Sequence, residues 1–288
     1  MTQAADDSYY VPHTARWPLV GSVGLTLLFV GFAWSLNGSS HGDDLMWAGL
    51  AVMIVMLVGW FGTVVGESER GTYKSWEDKS FRLGMAWFIF SEVMFFAAFF
   101  GALFYARTLS VPWLLGEGDG AHTHRLLWSA YTELWPTNGP GDLGDSDFRM
   151  GWWPLPFINT AILLTSGLTV TWAHHGIKTN HRGQIILGLA LTVALGFGFV
   201  FLQAVEYKEA YHEGLKLTSG IYGSTFYMLT GFHGMHVTLG AIMLTVMLAR
   251  AIRGHFTPGR HFAFEAAAWY WHFVDVVWLG LFLFVYIL

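Results

Sequence analysis

Glu92 is the clearest candidate for chemistry, because it lies inside an apolar stretch, MAWFIFSEVMFFAAFF. A charged side chain at the centre of a membrane-spanning helix costs about 2.5–3.5 kcal/mol on insertion scales, so a carboxylate there needs a reason. One reason is proton handling or a regulatory role. The other is structural: a protonated carboxyl that hydrogen-bonds to a neighbouring helix. Both interpretations stand at this stage.

Two histidine pairs also lie in apolar surroundings. His233 and His236 are three residues apart and share one face of a helix, whereas His174 and His175 are adjacent near the end of another segment. Neutral imidazole is a ligand of copper and of haem iron, so a redox centre has to be considered. A two-haem cytochrome b would need widely spaced histidine pairs on two helices, and that pattern is absent. We therefore interpret all four as structural polar residues that hydrogen-bond between helices.

The last apolar segment, FEAAAWYWHFVDVVWL, contains three ionisable residues. Glu265 and His272 are seven residues apart, which places them on one side of a helix. Glu265 falls in the first turn, at headgroup depth, where the cost of a charge is small. His272 and Asp275 are three residues apart and are predicted to bond to each other and fix this helix in the bundle.

Basic residues gather just before this segment, in the connection ARAIRGHFTPGRHF. Arg250, Arg253 and His255 all belong to it. Basic residues between membrane helices bind anionic lipid headgroups. The ordinary excess of positive charge on cytoplasmic loops explains the same composition, so both interpretations remain open.

Composition defines the class of protein. The 288 residues are 54% hydrophobic and only 12% charged, about half the charged fraction of soluble domains. There is no cysteine, which excludes disulfides, thiolate-bridged copper and iron–sulfur clusters on this chain. The formal net charge of -5 gives no reason to expect nucleic-acid binding. The N-terminus has no basic residue before Arg16, so a signal peptide is not expected.

Seven apolar segments must position the residues described above. Each reaches or nearly reaches the roughly 20 residues that a hydrocarbon core about 30 Å thick requires. The predicted fold is therefore an all-α polytopic membrane protein with seven transmembrane helices. The segments lie at about 18–36, 45–65, 83–106, 155–175, 184–206, 221–249 and 262–287.

Charge also predicts the orientation. If the N-terminus is cytoplasmic, ten of the fifteen Lys and Arg residues fall on that side, as the positive-inside rule requires. The odd number of helices then places the C-terminus in the periplasm. A loop at about 107–153 would be periplasmic, and it either caps the bundle or contacts a partner, or is a structureless insertion. The prediction is one membrane domain: a cytoplasmic tail (1–17), helices 1–2 (18–65), a cytoplasmic loop (66–82) and helices 3–7 (83–287).

Several blocks of the sequence resemble a known family. The chain resembles subunit III of cytochrome c oxidase over about residues 16 to 288, with the blocks in the same order and at the same spacing. The last two blocks are long and specific. The blocks are SEVMFFAAFF (91–100), WAHH (172–175), LQAVEY (202–207), YGSTFYMLTGFHGMHV (222–237) and FEAAAWYWHFVDVVW (264–278).

The resemblance implies a seven-helix subunit in which a V-shaped, phospholipid-filled cleft separates helices 1–2 from helices 3–7. It implies that the chain itself binds no metal or redox centre. Haem a, haem a3, CuA and CuB would belong to partner subunits I and II. Subunit I would be the main contact of this chain, and cytochrome c would be an indirect partner. The implied function is a non-catalytic subunit of a proton-pumping oxidase, which supports proton uptake and the stability of subunit I. Its cleft lipids are implied to line an oxygen route.

The resemblance also assigns residues. Glu92 corresponds to the family's intramembrane carboxylate, which reacts with carbodiimide. Trp60 and Glu67 correspond to lipid contacts, although Gly66 stands where relatives can have arginine. Further lipid-headgroup positions are implied at Arg250, Arg253, His255, Thr257 and Glu265.

Three alternatives remain beside this interpretation. A related quinol oxidase also has a subunit III, but that subunit usually lacks the first two helices. An autonomous proton or solute transporter would use Glu92 as its carrier site, and would often show inverted repeats and broken helices. An independent haem enzyme would be pigmented when isolated. The long outer loop implies a bacterial protein of the cytoplasmic (inner) membrane.

Overall fold

A computed structural model describes residues 10–11, 15–140 and 149–288, and these residues are predominantly helical. Seven helices among them are long and apolar enough to cross a membrane, which confirms the predicted number. Two short helices, α4 (Val111–Leu114) and α5 (Ala121–Leu127), lie between the third and fourth of them. The long helices are α1 (Trp17–Leu36), α2 (Gly42–Glu69), α3 (Ser75–Tyr105), α6 (Leu155–Lys178), α7 (Arg182–His212), α8 (Ile221–Ile252) and α9 (Phe262–Leu281).

Most helices extend beyond the apolar segments that predict them. The loop expected at 66–82 is reduced to residues 70–74, because α2 continues to Glu69 and α3 begins at Ser75. Backbone hydrogen bonding does not require apolar side chains, and Glu and Lys are good helix formers. Glu77 and Asp78 also lie in the first turn of α3, where the helix dipole favours negative charge.

The chain divides into two compact units, Met1–Leu83 and Gly84–Leu288. In the first unit, α1 and α2 form an antiparallel hairpin closed by residues 37–41. Glycines allow the two backbones to approach closely: a Cβ at Gly31 would collide with the backbone at Met46, and one at Gly49 with that of Leu28. Small residues serve this purpose in lipid, where van der Waals packing replaces the hydrophobic effect.

In the second unit, α6, α7, α8 and α9 pack each against the next, and α9 returns to α6, so the four close into a bundle. Trp271 and Trp278 of α9 are fully buried at its centre. The part of α3 in this unit meets the bundle through aromatic side chains. Its Phe95 ring, for example, lies 5.1 Å from that of Phe232.

The outer loop is partly ordered into helical turns. A π-helical turn (Ala106–Ser110) prolongs α3, and α4 and α5 follow it. Beyond them, the ring of Trp135 lies 5.8 Å from that of Tyr222 at the start of α8, and the Met150 amide donates to the Tyr222 hydroxyl at 3.1 Å. The described parts of the loop therefore cap this end of the bundle; residues 141–148 lie outside the described residues.

Candidate functional site

Glu92 and His236 form a hydrogen-bonded pair between α3 and α8. Glu92 Oε2 lies 2.9 Å from His236 Nε2, and the His236 side chain is almost fully buried while that of Glu92 is 21% exposed. The other ring nitrogen, His236 Nδ1, lies 2.6 Å from the Phe232 carbonyl oxygen. A carbonyl only accepts hydrogen bonds, so Nδ1 carries a hydrogen and Nε2 is the position that gains or loses a proton.

This geometry requires one proton in the contact between Glu92 and His236. Either the carboxyl is protonated and donates to a neutral imidazole, or an imidazolium donates to a carboxylate. Both forms satisfy the hydrogen bond, and they differ only in which side holds the proton. An aromatic enclosure surrounds the imidazole: its ring lies 5.0 Å from that of Phe96 and 6.2 Å from that of Tyr270. The pair can therefore hold a proton in an apolar setting.

His233, three residues earlier, has a different environment. Its Nε2 donates to the Val274 carbonyl of α9 at 3.1 Å, and its ring packs against those of Phe199 and Trp278. The side chain is fully buried. His233 thus links α8 to α9, whereas His236 faces α3. The two histidines predicted on one helix face have separate partners.

His272 and Asp275 join α9 to α6. His272 Nδ1 lies 3.4 Å from Asp275 Oδ2, and His272 Nε2 lies 3.2 Å from the Thr171 hydroxyl oxygen. A Cβ at Gly167 would collide with the Asp275 carboxylate, so the glycine makes room for the buried acid. The side chain of His272 is 46% exposed, whereas that of Asp275 is 9% exposed.

A ladder of indole hydrogen bonds continues this contact. Trp271 Nε1 donates to the Ser166 hydroxyl at 2.8 Å, and Trp278 Nε1 donates to the Thr160 hydroxyl at 2.9 Å. Both acceptors belong to α6, and both indoles are fully buried. Buried indole N–H groups need such partners, and an unsatisfied one costs about 1–3 kcal/mol.

The basic residues lie at the end of the bundle that carries the connections 179–181 and 253–261, called here the basic end. Arg250 is buried with its guanidinium 4.9 Å from the Phe256 ring. Arg253 and Thr257 are exposed, and His255 is half-buried. The turn is closed by backbone hydrogen bonds between Thr257 and Arg260.

Glu265 lies at the same end, between two histidines. Its Oε1 is 3.3 Å from His174 Nε2 and 3.4 Å from His261 Nε2. The neighbouring His175 is exposed and does not belong to this group. The sequence singles out His174 and Glu265 but assigns them to different roles, and the fold brings them together.

Trp60 and Glu67 belong to the first unit. Trp60 is half-exposed and stacks on Phe61, 5.8 Å between ring centroids. The Glu67 carboxylate accepts hydrogen bonds from the Tyr73 hydroxyl at 2.6 Å and the Tyr10 hydroxyl at 3.2 Å. Burial, and then the adjacent Glu67 carboxylate, raises the pKa of both phenols, so they remain protonated donors.

Glu206 was not predicted as a site residue, yet it is a fully buried carboxylate of α7. Neither of its oxygens makes a hydrogen bond of ordinary geometry, although the Tyr286 hydroxyl is near enough to interact with it. The apolar segment predicted from the sequence ends at this residue, at 206. The helix instead continues to His212. Extending the predicted segment by one helical turn would have placed Glu206 inside the helix.

Comparison with known proteins identifies the family. The model of the family described as cytochrome c oxidase subunit III matches residues 7–119 and 149–288. The cytochrome c oxidase subunit 3 of Coturnix japonica is 40% identical over 280 residues, which is 97% of this chain and 96% of the relative. That of Struthio camelus is 41% identical over 281 residues, and that of Gadus morhua 40% over 280, with the same coverage. The chain therefore belongs to the cytochrome c oxidase subunit III family.

Proposed function

We propose that this chain is a non-catalytic subunit of a proton-pumping cytochrome c oxidase, in which the Glu92–His236 pair supports proton uptake by subunit I. The observation that carries the proposal is the 2.9 Å contact between the carboxylate and an imidazole whose other nitrogen is committed to a carbonyl. Such a pair exchanges one proton without breaking its hydrogen bond. Intramembrane ionisable residues with a partner of this kind are typical of proton pathways.

We further propose that haem a, haem a3, CuA and CuB belong to partner subunits I and II. The sequence contains no cysteine, so a thiolate-bridged copper centre is excluded on this chain. Imidazoles within the bundle are also engaged by protein groups: His236 with Glu92, His233 with Val274, and His272 with Thr171. These contacts support a structural role over ligation of a redox centre.

Phospholipid binding is the third part of the proposal. Trp60, Arg253 and Thr257 are exposed. Their indole, guanidinium and hydroxyl groups suit contact with lipid at the membrane interface. Following the resemblance, these lipids fill a cleft between helices 1–2 and helices 3–7, stabilise subunit I and line an oxygen route. The same resemblance, with the charge distribution, supports a bacterial inner-membrane protein with a cytoplasmic N-terminus.

The test is Glu92→Gln in the complete oxidase. The amide keeps the size of the carboxyl but cannot donate or accept the shared proton. We expect normal assembly, electron transfer near that of the unaltered enzyme, and a fall in proton-uptake rate of less than about tenfold, which is under about 1.4 kcal/mol in activation free energy. Glu117→Gln, at an exposed carboxylate of the outer loop, is the matched control and should change neither rate.

Two results would count against the proposal. Complete loss of electron transfer in the Glu92→Gln enzyme, with normal assembly, contradicts an accessory role. Proton uptake identical to that of the Glu117→Gln control removes the pair from the proton path.

A further inference from the structure

We infer that His174, His261 and Glu265 form a binding site for a divalent transition-metal ion, with Zn²⁺ the best fit, at the basic end of the bundle. The three side chains come from the last turns of α6, the residue preceding α9 and the first turn of α9. Each offers one ligand atom, and these atoms all lie within 4.8 Å of one another. Two imidazoles and one carboxylate are a known zinc ligand set.

The distances agree with tetrahedral coordination. Two ligands that each bind Zn²⁺ at about 2.0–2.1 Å are about 3.3–3.4 Å apart in a tetrahedron. Glu265 Oε1 lies 3.3 Å from His174 Nε2 and 3.4 Å from His261 Nε2. A direct hydrogen bond between an imidazolium and a carboxylate is shorter, about 2.7–2.9 Å. The spacing therefore suits an ion between the groups better than a shared proton.

The tautomer of His261 supports the same conclusion. Its Nδ1 lies 3.2 Å from the Thr257 carbonyl oxygen, which only accepts, so Nδ1 carries the hydrogen. In the neutral ring, Nε2 then presents a lone pair toward the Glu265 oxygen. Neither His261 Nε2 nor His174 Nε2 makes a hydrogen bond of ordinary geometry. A cation removes the repulsion between these lone pairs, and a carbonyl bound to the second nitrogen is the usual support of a metal-binding histidine.

Access and charge define what kind of site this is. The side chains of His174, His261 and Glu265 are 22%, 11% and 12% exposed, so an ion can reach them from the bundle end. Lys178 interacts electrostatically with His174, and its positive charge weakens the binding of a cation. We therefore assign an exchangeable site, not a permanent structural ion. When occupied, it ties the end of α6 to the start of α9.

This inference departs from the sequence, which predicts no metal on this chain and assigns Glu265 to lipid headgroups. A lipid ammonium group is the competing occupant, since it also suits a carboxylate. It offers no explanation for two imidazole nitrogens aimed at the same oxygen. The two occupants are separated experimentally, because a chelator removes Zn²⁺ and leaves lipid in place.

The experiment uses the complete oxidase in mild detergent, stripped with EDTA and equilibrated with Zn²⁺ over a range of concentrations, with bound zinc measured by mass spectrometry. Anomalous diffraction at the zinc edge locates the ion in crystals of the complex. The variants are His174→Gln and His261→Gln, and the matched control is His175→Gln, at the adjacent exposed histidine. Haem content and electron transfer verify that each variant assembles.

At a fixed zinc concentration near half-saturation, the site is half-filled in the unaltered enzyme and in His175→Gln. The expected result is that it is almost empty in His174→Gln and His261→Gln. Removal of a ligand should weaken binding by at least the roughly 10–100-fold that loss of a supporting contact costs. Equal zinc in all four proteins overturns the site. An anomalous zinc peak elsewhere, with none at Glu265, also overturns it. The same conclusion follows if lipid stays at Glu265 after EDTA treatment and no zinc is taken up.

Discussion

The helices inside the two compact units pack together by different means. In the α1–α2 hairpin, close packing depends on absent side chains, since its buried residues are almost all glycine. In the α6–α9 bundle glycines such as Gly167 also make room, but the packing depends in addition on large and polar side chains. Buried tryptophans hydrogen-bond to hydroxyls, and α9 carries a buried aspartate. The buried residues of the hairpin are Gly21, Gly24, Gly31, Gly42, Gly49 and Met56.

The difference indicates how each unit can contribute to function. Packing by glycine is unspecific in chemistry: it brings two helices together and leaves the rest of both surfaces apolar and exposed. Packing by hydrogen-bonded side chains fixes the rotation of each helix, since each bond has one geometry. Residues such as His236 and Glu92 need that precision, and they lie in the second unit.

The largest effect is expected where the hairpin has no room to adjust. Gly49→Leu places a side chain against the backbone of α1 at Leu28, and separating the helices should cost more than the usual 1–3 kcal/mol of overpacking, about 3 kcal/mol or more. Gly62→Leu is the control, because open space surrounds its position on the same helix. The measurement is thermal unfolding of the purified complex and retention of this chain in it. Equal behaviour of the two variants would contradict glycine packing as the basis of the hairpin.

In the bundle, loss of a single hydroxyl should have an intermediate effect. Ser166→Ala leaves the buried Trp271 N–H without its acceptor, at a cost of about 1–3 kcal/mol. The adjacent Thr165→Ala is the matched control, since that exposed hydroxyl bonds only within its own helix. Thermal stability of the complex distinguishes them. If both variants are equally stable, the indole ladder is not what orients α9.

The smallest effect should come from a polar cluster of the first unit, in which Tyr73 and Tyr10 donate to Glu67. Tyr73→Phe removes the phenol that donates to Glu67 at 2.6 Å, and should cost about 1 kcal/mol or less in this partly solvated site. Burial and Glu67 raise the pKa of Tyr73 above its usual 10.0, so the phenol stays protonated. Its contribution is therefore complete below pH 10 and is lost only as pH rises through the raised pKa. The loss of thermal stability in Tyr73→Phe, relative to the unaltered protein, should therefore be the same at pH 7 and at pH 9. Tyr105→Phe, at an exposed tyrosine, is the control.

Much of the fold could be predicted because apolar length is a strong signal. All seven spanning helices lie where the segments place them, and the match to subunit III is confirmed. Helix ends were predicted less well. Polar residues such as Glu69 and Ser75 continue a helix beyond the hydrocarbon, where hydropathy no longer reports on secondary structure.

The candidate site was predicted in its parts but not in its pairings. The apolar setting of Glu92 indicates a functional carboxylate, but its partner lies 144 residues away and depends on how α3 meets α8. The same holds for His174 and Glu265, which are far apart in the sequence and meet only because α6 packs against α9. Glu206 was missed because burial is set by the neighbouring helices and by the true end of α7.

The central claim, that this chain supports a catalyst housed in its partners, is tested most directly by removing it. The complete oxidase is stripped of this subunit with detergent, and haem absorbance, copper content, initial electron transfer and proton uptake are measured in both fractions. We predict that the depleted complex keeps all haem and copper and its initial electron transfer, takes up protons more slowly and loses activity during turnover, while the released chain is colourless. Haem or copper that leaves with this chain would contradict the account.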